Sequence, residues 1–417
     1  MFFIYQIIIF LIIVLSPLIL IYRFFKNKEH KNRFIEKFCF IKKKSKGNLI
    51  WIHAASVGEF MSTVPLIKEL EKKNDIKTIL VTTSTLSSSK IFDNYKFNKT
   101  IHQFFPIDFF YFSSKFIQYW KPKIAIFIDS EIWPSMYKEI NKNSIPLLLM
   151  NARITKKSFH RWKFFNKFTK NIFENIKVAF PSNIETNKYL KKLGLKKIKK
   201  IGNLKFTEIK QQDTSKFSSS FLKSLNRRII LCAASTHDDE ERIIANTHLI
   251  LRKKLKNLLT IIIPRHTHRI NQIDELISSM DLKTNIRSTN KRIKHDTDVY
   301  LVDTYGETKR FFNISKVAFI GGSLVKHGGQ NPIEPARYKL NIIHGPNVEN
   351  FKDIYQLFNK KKIAHMVLNQ NQLINLAQKL LTDRKKRKIN LEKIGNLILK
   401  KSIVEITRIF KDEIKKT

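Results

Sequence analysis

FIGGSLVKHGGQNPIEPARY, residues 319–338, reads as a buried strand, a glycine-rich turn and the start of a helix. Paired glycines at 321–322 and 328–329 let the backbone turn sharply and approach a ligand closely, because glycine has no Cβ and takes positive φ at little cost. Asn331 before Pro332 fits an N-cap with proline in the first turn, where its missing N–H is not needed. The free N–H groups of such a stretch, at Gly321, Gly322, Ser323, Asn331, Ile333 and Glu334 around Pro332, favour an anion such as phosphate. The same spacing also fits a capping box in which Glu334 serves stability alone by bonding the cap N–H. Taken by itself, the stretch carries both readings.

Working outward, strand-like apolar runs alternate with amphipathic segments of helix length. NLIWIHAA near 50, KTILVTT near 80, KIAIFID near 126, IPLLLMN near 148 and KVAFPS near 180 form one series. RIILCAAS near 231, LLTIIIPRH near 262, DVYLVDTYG near 302, KVAFIGGS near 319 and LNIIHGP near 343 form a second. This rhythm predicts parallel βαβ units and hence an α/β protein with two Rossmann-like, doubly wound domains. The polar, serine-rich stretch 207–227 reads as the linker between a domain over 23–206 and another over 228–417, the latter closing in lysine-rich helix. At 417 residues the chain has material for two cores.

Residues 1–22, MFFIYQIIIFLIIVLSPLILIY, carry no charge and match the length of a transmembrane helix despite Pro17. Ten lysines and arginines follow between Arg23 and Lys46, which predicts a single pass with the rest of the chain in the cytoplasm, and a collar for anionic lipid. Lys plus Arg total 78 against 34 Asp plus Glu, a net charge of +44. Such a charge attracts nucleic acid, anionic lipid or phosphorylated substrates. The joint abundance of Lys, Ile, Asn and Phe equally fits an AT-rich genome, and no nucleic-acid-binding module is recognisable. Two distant cysteines, Cys39 and Cys232, exclude a disulfide framework and lack metal-ligand spacing. No metal is expected at His266 and His268 either, for want of a third ligand nearby.

In open parallel sheets ligands lie beyond the carboxyl ends of the strands. The first such loop, HAASVGEF, exposes Glu59 near a helix start, either as a general base or as the acid of a capping box with Ser56. IFIDSEIWPS places Asp129 and Glu131 after a strand, paired carboxylates for acid/base or substrate work, or in part a helix-cap group. Asn151 and Arg153 close the next strand, and IGNLKF offers Lys205 where the first domain ends, a cation for a leaving phosphate or a surface lysine. Ser235 and Thr236 lead into an acidic first helical turn that capping largely explains. Pro264 and Arg265 end a strand where a guanidinium can hold phosphate bidentately. Tyr305, Gly306 and Glu307 form a further glycine-containing loop.

SVGE, SEIWP, NARIT, GNLKF, STHDDEE, PRH, DTYGE, GGSLVKHGGQNPIEP and GPNVENFKDI, in this order, resemble the 3-deoxy-D-manno-octulosonic acid (Kdo) transferases of Gram-negative lipopolysaccharide synthesis. The likeness spans nearly the whole chain. It implies the GT-B architecture, two Rossmann-like domains facing across a cleft, anchored at the inner membrane. It further implies an inverting glycosyltransferase that moves Kdo from cytidine monophosphate-Kdo (CMP-Kdo) to lipid A precursor (lipid IVA), with no cofactor or metal and no nucleic-acid partner. By motif, Glu59 is implied as the base and Asp129, with Glu131 in the same acidic pair, and Lys205 as transition-state groups. Pro264, Arg265, Tyr305, Gly306, Glu307, Asn331, Pro332, Ile333 and Glu334 are implied to line the CMP site. The sequence departs from the pattern at Asp129, commonly glutamate, at Gln330, often histidine, and at Lys326–His327. Another GT-B glycosyltransferase using a nucleotide diphosphate sugar is the alternative, and a membrane-tethered nucleic-acid binder a more remote one.

Overall fold

The computed structural model describes residues 1–208, 217–225, 228–289, 292–383 and 390–416. These fall into two units, Met1–Ile209 with Glu392–Thr417, and Lys210–Leu391. The expected linker over 207–227 lies partly outside the described residues; within it a short helix, Ser219–Ser224, is formed.

The first unit is built on six parallel strands: β1 (Leu49–His53), β2 (Thr78–Thr83), β3 (Thr100–Phe104), β4 (Ile124–Ile128), β5 (Leu147–Ala152) and β6 (Ile176–Pro181). Their order is β3-β2-β1-β4-β5-β6. Every residue of β1, β2, β4 and β5 is buried, as unbroken apolar runs require when helices cover both faces of a parallel sheet. Trp51, Phe105, Phe116, Phe127 and Tyr137 form the aromatic centre of its core. β3 has no counterpart among the expected strands because TIHQF carries two polar side chains inward. His102 meets Arg33 and Thr83, and Gln103 accepts from the Trp120 indole at 3.0 Å.

Residues 1–22, expected to form one transmembrane helix, form two helical segments instead. Two helices, Phe2–Val14 and Ser16–Phe25, meet at a 53° bend; no single described helix is long and apolar enough to cross a membrane, and only the two taken together reach that length and composition. Pro17 lies in the first turn of the second helix, where its ring and missing N–H interrupt the ladder. The first helix is also tied to the sheet unit: the Tyr5 hydroxyl donates to Asp108 at 2.7 Å and Gln6 bonds Ser135 at 2.7 Å. Within the basic collar, Arg23 and Lys37 pair with buried Glu29, and Arg33 pairs with Glu36, leaving Lys26, Lys28, Lys31, Lys42, Lys44 and Lys46 exposed.

The last helix, Leu391–Ile414, is counted almost whole with this first unit, so the chain's end differs from the boundary read over 228–417. It buries Ile398, Ile406, Ile409 and Phe410 and pairs Glu405 with Lys199 and Lys411 with Asp75.

The second unit has seven parallel strands: β7 (Ile229–Thr236), β8 (Leu258–Pro264), β9 (Thr284–Ile286), β10 (Val299–Leu301), β11 (Val317–Ile320), β12 (Asn341–His344) and β13 (Ala364–Met366), in the order β13-β12-β11-β7-β8-β10-β9. β9 and β13, unforeseen from the sequence, are three-residue edge strands, too short to show a pattern.

Both sheets are doubly wound. In the first, successive strands move away from β1 on one side through β2 and on the other through β4. In the second they diverge from β7 through β8 and through β11. The crevices at the carboxyl ends of β1 and β4, and of β7 and β11, are therefore the switch points where ligands bind in such sheets.

Candidate active site

At the first switch point β1 ends in His53, whose ring is fully buried and stacked on Phe105 at 4.0 Å. The following loop enters the helix Val57–Glu71 with Ser56 as N-cap. Glu59, in the first turn, accepts from the Ala55 N–H at 2.8 Å and from the Ser56 hydroxyl at 2.8 Å. The capping interaction is thus made, with the partner N–H one residue earlier than the capping-box reading placed it. Glu59 also lies in the field of Glu131 and Asp129. Burial first, and then Glu131, pushes its carboxyl up to about 7, against the pull of the Ser56 and Ala55 bonds. A capping acid with no other task would be held low by the helix N-terminus.

After β4 the chain turns through Asp129, which takes a left-handed φ of 62°. Helix begins only at Pro134. The two carboxylates consequently part company. Glu131 accepts from the Trp133 indole at 2.8 Å and meets His53 Nε2 at 3.2 Å. Burial raises its carboxyl, and the His53 and Trp133 bonds more than reverse this, leaving it below its ordinary value. Asp129 instead faces Lys205 and Arg153; burial raises it, and the two cations oppose the rise. Burial likewise lowers the Lys205 ammonium, with Asp129 acting against it.

Lys205 owes its place to the end of β5. Asn151, itself left-handed at φ 52°, accepts the Leu204 N–H at 3.0 Å, and Asn203 caps the Lys205 N–H at 2.9 Å. Non-glycine residues with positive φ at strand ends are strained positions that cluster at functional sites. Thus Glu59, Asp129, Glu131 and Lys205 are brought within electrostatic range of one another, with Glu131 committed to His53 and Trp133. The sequence reading passed over His53 as a partner; its position at a strand end opposite the acidic loop was the available signal.

At the second switch point Gly321 is required by packing: a Cβ there would lie 2.3 Å from the Ser235 carbonyl oxygen. The N–H groups of Gly322 and Ser323, expected to face an anionic ligand, are instead taken, with that of Leu324, by the buried Glu240 carboxylate at 2.7, 3.0 and 3.0 Å, and the same group accepts from His237 N–H at 3.0 Å. Glu240 belongs to the acidic turn that capping was held to explain.

The neighbouring loops are stitched together at this end of the sheet. Arg265 N–H donates to the Thr236 carbonyl at 2.9 Å, and the Thr267 hydroxyl to Tyr305 Oη at 2.9 Å. Tyr305 is 82% exposed, and Gly306 takes φ +84° with open space around it. Glu307 is engaged by Arg287 bidentately at 3.0 Å, by Arg310 and by the Thr304 hydroxyl. Burial raises its carboxyl, and Arg287 and Thr304 bring it below its ordinary value.

Pro264 ends β8, buried like the rest of that strand. The Asn331 side chain accepts the Ile333 N–H at 3.1 Å, but the N-cap position falls on Pro332 rather than on Asn331 as expected, and the helix that follows, Ile333–Arg337, has five residues. Ile333 is 1% exposed, so its side chain belongs to the core. Glu334 points to Lys309 at 3.7 Å.

The sequence model for 3-deoxy-D-manno-octulosonic-acid transferase (kdotransferase) matches residues 32–208. A 3-deoxy-D-manno-octulosonic acid transferase of Rickettsia bellii is 34% identical over 389 residues, covering 91% of both chains. One from Haemophilus influenzae is 31% identical over 402 residues, 93% of this chain and 92% of that one. In three dimensions the UDP-GlcNAc 2-epimerase of Neisseria meningitidis bound to UDP-GlcNAc superposes with a TM-score of 0.58 over 88% of this chain and 100% of that one, at 13% identity, a likeness of fold alone. The two-sheet α/β architecture is consistent with a GT-B-like fold. With relatives matched over more than nine-tenths of either chain, the chain belongs to the 3-deoxy-D-manno-octulosonic acid transferase family, the Kdo-transferring glycosyltransferases of lipopolysaccharide biosynthesis.

Proposed function

We propose that the protein transfers Kdo from CMP-Kdo to lipid IVA with inversion, Glu59 acting as base. A Glu59 oxygen takes the proton of an acceptor sugar hydroxyl. The acceptor hydroxyl oxygen, its proton now on Glu59, attacks the anomeric carbon from the face opposite the phosphate, the bond to the phosphate oxygen breaks, and CMP leaves with the electron pair. Asp129 and Lys205 serve the developing charges, and Glu131 holds the acidic loop through His53 and Trp133. In the second unit Pro264, Arg265, the loop Tyr305–Gly306–Glu307 and the stretch Asn331–Glu334 receive the CMP moiety, with Glu307 and Ile333 acting through backbone and loop shape. Gly321, Gly322 and Ser323 shape the same wall with their N–H groups satisfied internally.

The observation that carries this reading is the environment of Glu59: its two oxygens are oriented by Ala55 and Ser56 while burial, and then the neighbouring carboxylates, raise its basicity. Each carboxylate oxygen has a second lone pair, so the capping bonds and proton acceptance are compatible. A base with its pKa near the working pH balances availability against strength. The enzyme is placed at the inner membrane through the bent apolar pair, both units on the cytoplasmic side, with the exposed lysines of the collar toward anionic headgroups.

Incubation of the purified protein with freshly generated CMP-Kdo and tetraacylated lipid A precursor tests the proposal. A product heavier by one or more Kdo residues, with CMP released, supports it. Turnover with a uridine diphosphate sugar and none with CMP-Kdo would overturn it.

A further inference from the structure

The loop after β7 carries His237, the loop after β8 carries Arg265, His266 and His268, and the glycine turn after β11 carries His327. The His237 ring lies stacked on His327 at 4.1 Å and edge-on to His266 at 5.8 Å. His237 is 8% exposed, and its Nε2 is buried with no hydrogen-bond partner among the described residues. Buried polar atoms in folded proteins are nearly always paired, so an orphan at a switch point marks a place prepared for a partner. Gly322 leaves room beside it, since a Cβ there would come within 3.3 Å of that nitrogen.

The local charge points the same way. Asp238 and Glu241 are both engaged by Arg269, at 2.6 and 3.2 Å, and Glu240 is engaged by backbone N–H groups. Arg265 makes no side-chain hydrogen bond or ion pair among the described residues. Burial, followed by His327, His266, Arg265 and Arg269, holds the His237 imidazole down at about 4, a neutral ring in a positive field. Because Glu240 fills the amide nest of the glycine turn, an incoming anion has to be met by side chains. Among the described residues no group of three His, Cys, Asp or Glu is placed to hold a metal ion.

We propose that His237, through Nε2, together with His327, His266 and Arg265, binds an oxyanion of the donor, either its phosphate or its sugar carboxylate. This makes the loop after β7 a donor-binding element, and it rests on the Kdo-transfer reading given above. Nothing in that reading needs an imidazole cluster at this place.

The test uses the full chain in detergent, with His237→Ala and His327→Ala compared with wild type by calorimetric titration of CMP and of cytidine, and by KM for CMP-Kdo. His327 is exposed, so its variant keeps the test alive if His237→Ala folds poorly. If the cluster holds the phosphate, the variants weaken CMP about tenfold and leave cytidine within about twofold, the loss of one good hydrogen bond to an anion. If it holds the carboxylate, CMP binding is unchanged and the KM for CMP-Kdo rises about tenfold. Either pattern sustains the proposal. Unchanged CMP affinity together with unchanged KM overturns it, as does equal weakening of CMP and cytidine, which would mean ring packing alone. If the wild type binds no CMP, the Kdo-transfer reading fails. The anion site is then decided by the histidine ring nitrogen resonances of 15N-labelled protein under inorganic phosphate: a shift assigned to His237 keeps the site, and no shift removes it.

Discussion

The Glu240 carboxylate lies 2.7 Å from the Gly322 nitrogen, joining the first turn after β7 to the glycine turn after β11 across 82 residues. One side chain therefore does for this turn what a bound anion does in phosphate-binding loops. Glu240 and the glycine turn form one structural piece, and its outward shape is what a donor meets.

Glu240→Ala leaves four backbone N–H groups buried without their acceptor. A loss of about 3 kcal/mol is expected, the range for breaking a buried charged hydrogen-bond set. Thermal unfolding should show a clear drop in midpoint. An unchanged midpoint would mean that the nest is satisfied in another way.

Gly321→Ala forces a Cβ to within 2.3 Å of the Ser235 carbonyl oxygen and 2.6 Å of the Thr236 Cα, both backbone atoms that cannot step aside. The expected result is loss of stability together with weakened CMP binding, since Ser235 and Thr236 adjoin the donor loops. Calorimetric titration of the variant with CMP checks this, and wild-type affinity would count against the arrangement.

The acidic pair divides by partner. Asp129→Asn should lower turnover by about two orders of magnitude while the thermal midpoint holds, because it acts on charge developing in the reaction. Glu131→Gln should lower the midpoint, because it weakens the bonds to His53 and Trp133 that fix the loop. The reverse assignment of effects would contradict the division.

The two perturbed acids give opposite pH signs. Glu59 is raised in the fold from 4.5 to about 7, so its contribution to stability is full below about pH 4.5 and is lost as pH rises through about 7. Activity runs the other way: kcat/KM should fall about tenfold per unit below pH 7, where the base is protonated. Glu307 is lowered, so its contribution is present above its unfolded value and is lost as pH falls through the folded one. Thermal midpoints across pH for Glu59→Gln and Glu307→Gln should each lose the corresponding slope.

Removing residues 1–22 should reduce transfer on membrane-embedded acceptor more than on detergent-dispersed acceptor, because attachment raises local acceptor concentration. Equal losses in both assays would remove the anchoring role and point to the Tyr5–Asp108 and Gln6–Ser135 bonds as structural ties.

Much of the fold was legible where strands are unbroken apolar runs, as in LIWIH and VAFI, since both faces of a parallel sheet are covered. β3 escaped because the partners of His102 and Gln103, namely Arg33, Thr83 and Trp120, are distant in sequence. The bend at Pro17 was visible as a residue but its consequence was not, because helices at bilayer length tolerate proline when neighbours compensate. Position in the loops beyond the strands singled out the acids and Lys205, and the motif resemblance implied their roles. The splitting of Asp129 from Glu131 depends on a left-handed φ, and Glu240's role depends on β7 and β11 being neighbours, neither of which is written in local pattern.

The most direct measurement is turnover of Glu59→Gln with CMP-Kdo and lipid IVA, alongside its thermal midpoint. Glutamine can still accept from Ala55 and Ser56 but cannot take a proton. The account predicts a folded protein with transfer reduced at least about a hundredfold. Transfer close to wild type in the folded variant would contradict it.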